Sequence, residues 1–178
     1  MGKNKAELAF CGRTLIEHQT EKLRSLGIDD IIVSGYPKPV EGTHFVADKY
    51  PLKGPLGGIH AGLSAAQHPH CLVLSVDAPL VPAEMLAELI DIHVNSSANI
   101  TVVSHGGKIE PLIGMYERWL STVAEPILQG ENTSVRELFR KAGLTEFEYN
   151  GDEALLFNCN TPGEYEALST IEKTKTTV

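Results

Sequence analysis

Asp77 follows an apolar run in Leu72-Val-Leu-Ser-Val-Asp-Ala-Pro-Leu-Val-Pro82. A carboxylate there is a hard oxygen donor of the kind that holds Mg2+ while substrate phosphates complete the coordination. The same acid could instead start a turn before Pro79, and the residues alone leave both readings open. Gly54-Pro-Leu-Gly-Gly58 is a second group. Glycine lets a backbone come close to a ligand, and the free N–H groups of a following helix can take an anion or a polar base edge. A plain tight turn uses glycine in the same way. Lys5, in Gly2-Lys-Asn-Lys-Ala6, could offset phosphate charge or be a solvated terminal lysine. Asn158 and Asn160, in Phe157-Asn-Cys-Asn-Thr-Pro162, carry amides that both donate and accept. An Asx turn with an N-cap explains Thr161 and only part of the two asparagines. His68-Pro-His70-Cys71 places metal-capable side chains together, but without a second ligand cluster it reads as a polar connector.

Strands and helices must carry these residues to one place. The run from Leu72 reads as a buried strand of a parallel sheet, covered on both faces, with Asp77 at its carboxyl end. In open α/β sheets that end faces the ligand crevice. Leu8-Ala-Phe10 reads as extended, with a turn at Cys11-Gly12. Thr14 caps a helix with Leu15, Ile16, Leu23 and Leu26 on one face, stopped by Gly27. Residues 30–34 and 43–47 read as strands, the second followed by Asp48. The glycine-rich segment reads as a loop before a helix over 59–66, and 83–94 as another helix. Strands are expected over 100–103 and 111–115 with a turn at Gly106-Gly107, and a helix over 118–128. Ser134-Val-Arg-Glu137 has capping-box spacing and opens a helix to Ala142. Residues 147–149 and 155–157 read as extended, and Thr161-Pro-Gly-Glu164 repeats the capping-box spacing. Alternating strands and helices predict an α/β fold with a mainly parallel sheet and helices on both faces. Residues 1–172 form one domain in this reading, and 173–178 a tail.

The chain has 178 residues and a net charge of −8, from 15 basic and 23 acidic residues. That balance argues against nucleic acid or an anionic membrane as partner. No apolar run reaches the roughly 18 residues that span a bilayer, and the first residues lack the apolar core of a secretory signal. Cys11, Cys71 and Cys159 are odd in number, widely spaced and read as structural, which fits a reducing, cytoplasmic location.

Met1-Gly-Lys-Asn-Lys-Ala-Glu-Leu, Gly54-Pro-Leu-Gly-Gly-Ile59, Val76-Asp-Ala-Pro-Leu-Val-Pro82, Glu110-Pro-Leu112 and Phe157-Asn-Cys-Asn-Thr-Pro162 occur in that order. Together they resemble the molybdenum cofactor guanylyltransferases, nucleotidyltransferases of the MobA type, from Met1 to about Leu168. Related enzymes that use CTP or sugar phosphates share part of the set. The resemblance implies a three-layer Rossmann-like nucleotidyltransferase fold. It implies transfer of GMP from GTP to molybdopterin, or to Mo-molybdopterin, with release of pyrophosphate and with Mg2+ as cofactor. Other molybdenum cofactor assembly proteins are then expected partners. By the same resemblance Lys5 contacts the nucleotide phosphates and Asp48 the GTP. Asp77 meets both nucleotide and metal, Gly54, Pro55, Leu56 and Gly57 face the nucleotide, and Asn158 and Asn160 face the pterin. Ser34 stands where the family has an asparagine, and Asn4 where it usually has an acid.

The family pattern begins with a strand and a loop of the form Leu-Ala-Gly-Gly-x-Ser-x-Arg-Met-Gly, whereas this sequence starts at the Met-Gly. The first, central strand and its phosphate loop are therefore expected to be missing, leaving two neighbouring strand edges unpaired. A start codon assigned too late, a truncation and a decayed gene are three accounts of that. A phosphate nucleophile is already ionised at neutral pH, so the expected catalysis is alignment and charge neutralisation. A cytidylyltransferase of the same fold and a non-catalytic nucleotide- or pterin-binding fragment are the competing readings.

Overall fold

Alternating side chains along the strands decide which helix covers which side of the sheet. In this computed structural model, which describes residues 5–156, 158 and 159, Cys71 and Val73 face one apolar cluster and Leu72 and Leu74 face another. Val102 and Val103 split in the same way. The strands in chain order are β1 (Ala9–Phe10), β2 (Arg13–Thr14), β3 (Ile32–Ser34), β4 (His44–Val46), β5 (His70–Leu74), β6 (Ile100–His105), β7 (Lys108–Glu117) and β8 (Thr145–Glu148). The helices are α1 (Leu15–Ser25), α2 (Pro55–Ala65), α3 (Ala83–Val94), α4 (Leu120–Gln129) and α5 (Val135–Ala142). Helices α2, α4 and α5 contribute Leu56, Ile59, Leu120, Leu128 and Leu138 to one cluster. Helix α3 contributes Met85, Leu86 and Leu89 to the other.

A four-stranded sheet runs in the order β5-β7-β6-β8, with β7 antiparallel to both neighbours and β8 parallel to β6. Strand β3 pairs with β4 in parallel. The Gln67 N–H, just ahead of β5, donates to the Asp30 carboxylate, just ahead of β3, at 2.8 Å. Both strands therefore start at the same end, and β7 is the reversed strand in an otherwise parallel set. The α/β class with helices on both faces stands as expected; the long return strand β7 makes the sheet mixed. Its reversal rests on the turn at Gly106 and Gly107, whose φ values of 56° and 79° suit glycine.

Among the described residues β3 pairs only with β4, and β5 only with β7. Between them lies a cavity of about 620 Å3, lined by Ile32, Val33, Leu72 and Val73 and closed by side chains of α1 and α2 such as Thr20 and Ile59. This is the interruption of the sheet that the family resemblance leads one to expect. It also corrects the reading of a fully buried strand: Leu72, Val73 and Leu74 are only half-buried, because one edge of β5 faces this cavity.

Other boundaries differ for local reasons. Helix α2 begins at Pro55, so Gly54-Pro-Leu-Gly-Gly58 is an N-cap and first turn and not a loop before a helix at 59. Proline at the first helical position is pre-set for the helix and has no N–H to lose. Strand β5 ends at Leu74, leaving Asp77 three positions beyond it in a turn. Thr14 caps α1 in a full capping box with Glu17, whereas the Ser134 hydroxyl makes no cap bond on α5. Glu137, its expected partner, instead accepts from Arg140 at 2.7 and 3.0 Å. Residues 153–156 form a 3₁₀ turn in place of the extended segment expected from 155. Asn4, Phe157, Asn160, the motif at 161–164 and the tail at 173–178 lie outside the described residues.

Candidate active site at the carboxyl ends of the strands

The turn that carries Asp77 is pinned by its main-chain carbonyls. Gln19, on the inner face of α1, donates its side-chain amide to Ser75 O at 2.7 Å and to Ala78 O at 3.0 Å. One turn further along α1, Lys22 donates to Pro79 O at 2.8 Å, and His18 Nε2 meets the same oxygen at 3.2 Å. The Cys159 N–H donates to Asp77 O at 2.7 Å. Burial pushes the Lys22 ammonium down to about 8. These contacts all engage main-chain carbonyls of the turn, and none of them takes the Asp77 carboxylate.

Lys5 comes to that side chain from the start of the described chain, with Nζ 3.2 Å from Asp77 Oδ2; both side chains are about one-quarter to one-third exposed. The other oxygen, Asp77 Oδ1, is buried and has no hydrogen-bond partner among the described residues. A buried carboxylate oxygen left unpaired costs stability. It is also a donor of the type a hard divalent cation takes, so the residues present fit the expected Mg2+.

Asp48 follows β4 and accepts from the Tyr50 N–H at 2.7 Å. Its carboxylate packs so tightly against α2 that a Cβ on Gly57 would collide with it. Glycine at 57 is thus required by close approach, and Gly54, with φ of 72°, by conformation. Ser34, Asp48, Gly54 and Pro55 line one cavity together with Ala6 and Val76, the neighbours of Lys5 and Asp77. Leu56 does not face it: the side chain is fully buried in the apolar cluster beneath α2. Asn158 stands near Asp77 through its neighbour Cys159 and donates to Glu110 at 3.4 Å. The fold thus gathers Lys5, Ser34, Asp48, Gly54, Pro55, Gly57, Asp77 and Asn158 at one end of the sheet. It turns Leu56 away into the core.

Sequence reasoning missed Gln19, Lys22 and His18. One signal was available: Gln19 falls on the otherwise apolar face of Leu15, Ile16, Leu23 and Leu26, and an amide there must find buried partners.

An open α/β sheet with a lysine, two acids and a glycine-capped helix at its carboxyl end defines the class of nucleotide-handling α/β proteins. The chain belongs to the MobA-like NTP transferase domain family, whose model matches residues 1–146. It is 34% identical over 166 residues to a molybdenum cofactor guanylyltransferase of Pseudomonas fluorescens (strain SBW25), covering 90% of this chain and 82% of that one. Its fold is similar to that of molybdopterin-guanine dinucleotide biosynthesis protein A from Archaeoglobus fulgidus, with a TM-score of 0.78 at 21% identity over 97% of this chain and 92% of that one. It is also similar to the fold of 2-C-methyl-D-erythritol 4-phosphate cytidylyltransferase from Thermus thermophilus, with a TM-score of 0.72 at 18% identity over 97% and 95% of the two chains.

Proposed function

We propose that the chain is a guanylyltransferase of molybdenum cofactor biosynthesis, moving GMP from GTP to the terminal phosphate of molybdopterin or Mo-molybdopterin. The observation that carries this reading is the Lys5–Asp77 pair, with Asp77 Oδ1 buried and unpartnered. The relatives named molybdenum cofactor guanylyltransferase support the choice of substrates. An oxygen of the acceptor phosphate forms the new P–O bond at the α-phosphorus. The bond to the leaving oxygen breaks, and pyrophosphate departs with that electron pair. The acceptor oxygen is already ionised, so no side chain need remove a proton.

What the protein supplies is placement and charge. Asp77 would hold Mg2+, which offsets phosphate charge when bound. Lys5, paired with Asp77 in this structure, turns its ammonium toward the phosphates. Asp48 and the first turn of α2 take the guanosine, and Ser34 lies beside them. A carboxylate accepts well from the ring N–H and amino group of guanine. Asn158 and Asn160 are assigned to the pterin side. Residues 1–172 act as one unit in this reading. Three widely spaced cysteines, odd in number, favour a reducing compartment, and the reaction is placed in the cytoplasm.

The test is pyrophosphate release with GTP and CTP side by side, with molybdopterin as acceptor and Mg2+ present. Release with GTP alone, lost in Asp77→Ala, is the expected result. Release with CTP would turn the reading toward a cytidylyltransferase. Tight GTP binding without turnover would mark a binding protein, and an unchanged rate in Asp77→Ala would remove the metal assignment.

A further inference from the structure

At the opposite end of β5 the fold gives His68-Pro-His70-Cys71 the second ligand cluster that its local sequence lacks. His70 opens β5 and stands in register with Glu117, the last residue of β7. His93, near the end of α3, comes down on the same spot from above the sheet. His70 Nδ1 lies 2.6 Å from Glu117 Oε1, and His93 Nε2 lies 3.2 Å from that same oxygen. One donor atom from each of the three residues falls within 4.8 Å of the others. The imidazole rings meet edge to face, with centroids 5.7 Å apart.

We propose that His70, His93 and Glu117 form a binding site for a divalent transition-metal ion of the zinc class. Two imidazoles and one carboxylate are a donor set that Zn2+ takes, with a fourth position open to water. Bonds of about 2.0–2.2 Å at tetrahedral angles need ligand atoms roughly 3–3.5 Å apart. To reach that spacing the 2.6 Å His70–Glu117 contact must widen and the two histidine donors, within 4.8 Å of each other, must draw together. The His93 side chain is fully buried and that of His70 is 42% exposed, so the cluster is anchored on one side and open to a water ligand on the other. Thr101 Oγ1 lies 2.9 Å from His93 Nδ1. Accepting a hydrogen bond from Nδ1–H, it would leave the Nε2 lone pair for the metal, the second contact by which proteins orient ligating histidines.

The position gives such a site a purpose. Strand β5 has one edge on the cavity and carries Asp77 beyond its other end. A metal at His70 would clamp β5 to β7 and α3 at the end remote from the nucleotide. The remaining four residues of β5, about 13 Å, separate it from the catalytic end, so this site and the proposed Mg2+ site at Asp77 can be tested apart.

The experiment titrates the full chain, in an Asp77→Ala background, with Co2+ followed by visible absorption and with Zn2+ followed by calorimetry. One ion per chain, a tetrahedral Co2+ band and a raised melting temperature are expected. His70→Ala should weaken Zn2+ binding at least tenfold and abolish the band, while His68→Ala, which alters a neighbouring exposed imidazole, should leave both intact. Circular dichroism of metal-free His70→Ala, where a half-exposed side chain is removed, checks that the fold persists. Absence of saturable binding would mean a hydrogen-bonded cluster only and would overturn the proposal. So would wild-type binding in both His70→Ala and Glu117→Gln.

Discussion

Lys5 Nζ lies 3.2 Å from Asp77 Oδ2, while Oδ1 of the same carboxylate is buried with no hydrogen-bond partner among the described residues. Lys5 offsets the charge of the carboxylate through one oxygen, and the other lacks a hydrogen bond among the described residues. A partly exposed ion pair contributes little to stability, and an unsatisfied buried oxygen detracts from it. An oxygen left unsatisfied at that cost accords with the ligand-holding role proposed for Asp77.

Asp77→Asn separates these roles. The amide keeps the shape and removes the charge. Pyrophosphate release should fall by about 100-fold or more, while the melting temperature of the nucleotide-free protein stays the same or rises. A parallel loss of stability and activity would mean that Asp77 serves the turn and not the ligand.

Gly57→Ala should drive a methyl group into the Asp48 carboxylate. Overpacking of this kind costs about 1–3 kcal/mol. In urea melts the loss should be largely relieved by a second change, Asp48→Ala, giving a coupling energy in a double-mutant cycle. Additive losses would show that the two residues do not touch.

Gln19→Leu removes the donor to Ser75 O and Ala78 O and leaves each carbonyl only a long main-chain hydrogen bond of 3.4 Å. A loss of about 2 kcal/mol or more is expected. Because those carbonyls hold the Asp77 turn, kcat should fall more than KM rises in steady-state assays. Gln19→Glu, which keeps the size and loses the donors, should behave alike.

Lys22 gives a pH dependence. Its ammonium titrates near 8 in the folded protein because burial disfavours the charge, against about 10.4 in an unfolded chain. Between those values the unfolded state binds more protons, so stability rises with pH. Below about pH 8 both states are protonated and the burial cost is fully present. Relative to Lys22→Met, the wild-type protein should gain stability from pH 8 to 10, by at most about 2–3 kcal/mol. The hydrogen bond to Pro79 O, strongest for the charged form, moderates the gain. Chemical melts of both proteins at pH 7, 8, 9 and 10 measure the difference curve, and a flat curve would contradict it.

The local sequence determined the elements and the motifs. Period-two and helical patterns predicted α3 over the same residues the structure shows, because a long amphipathic run needs no distant partner to be read. Asp77 drew notice as a carboxylate after an apolar strand, with a turn as the competing reading, whereas Lys5 and Asp48 were singled out by the family resemblance. The start of α2 was misread: glycines at 57 and 58 suggest a loop, yet Gly57 is needed inside the helix so that Asp48 can approach. Leu56 was misplaced for a related reason, since a motif names positions and only the helix phase decides that this side chain enters the core.

Tertiary structure decided the relationships across the chain. Gln19 meets Ser75, Lys5 meets Asp77, and His70 meets His93 and Glu117 through contacts between residues far apart in sequence. No local pattern encodes such pairs, because they depend on strand order, register and the face on which each helix packs. The same holds for the cavity between β3 and β5: the family resemblance led to an expectation of two unpaired edges, which among the described residues these strands have, and the packing of α1 and α2 over them gave the cavity its walls.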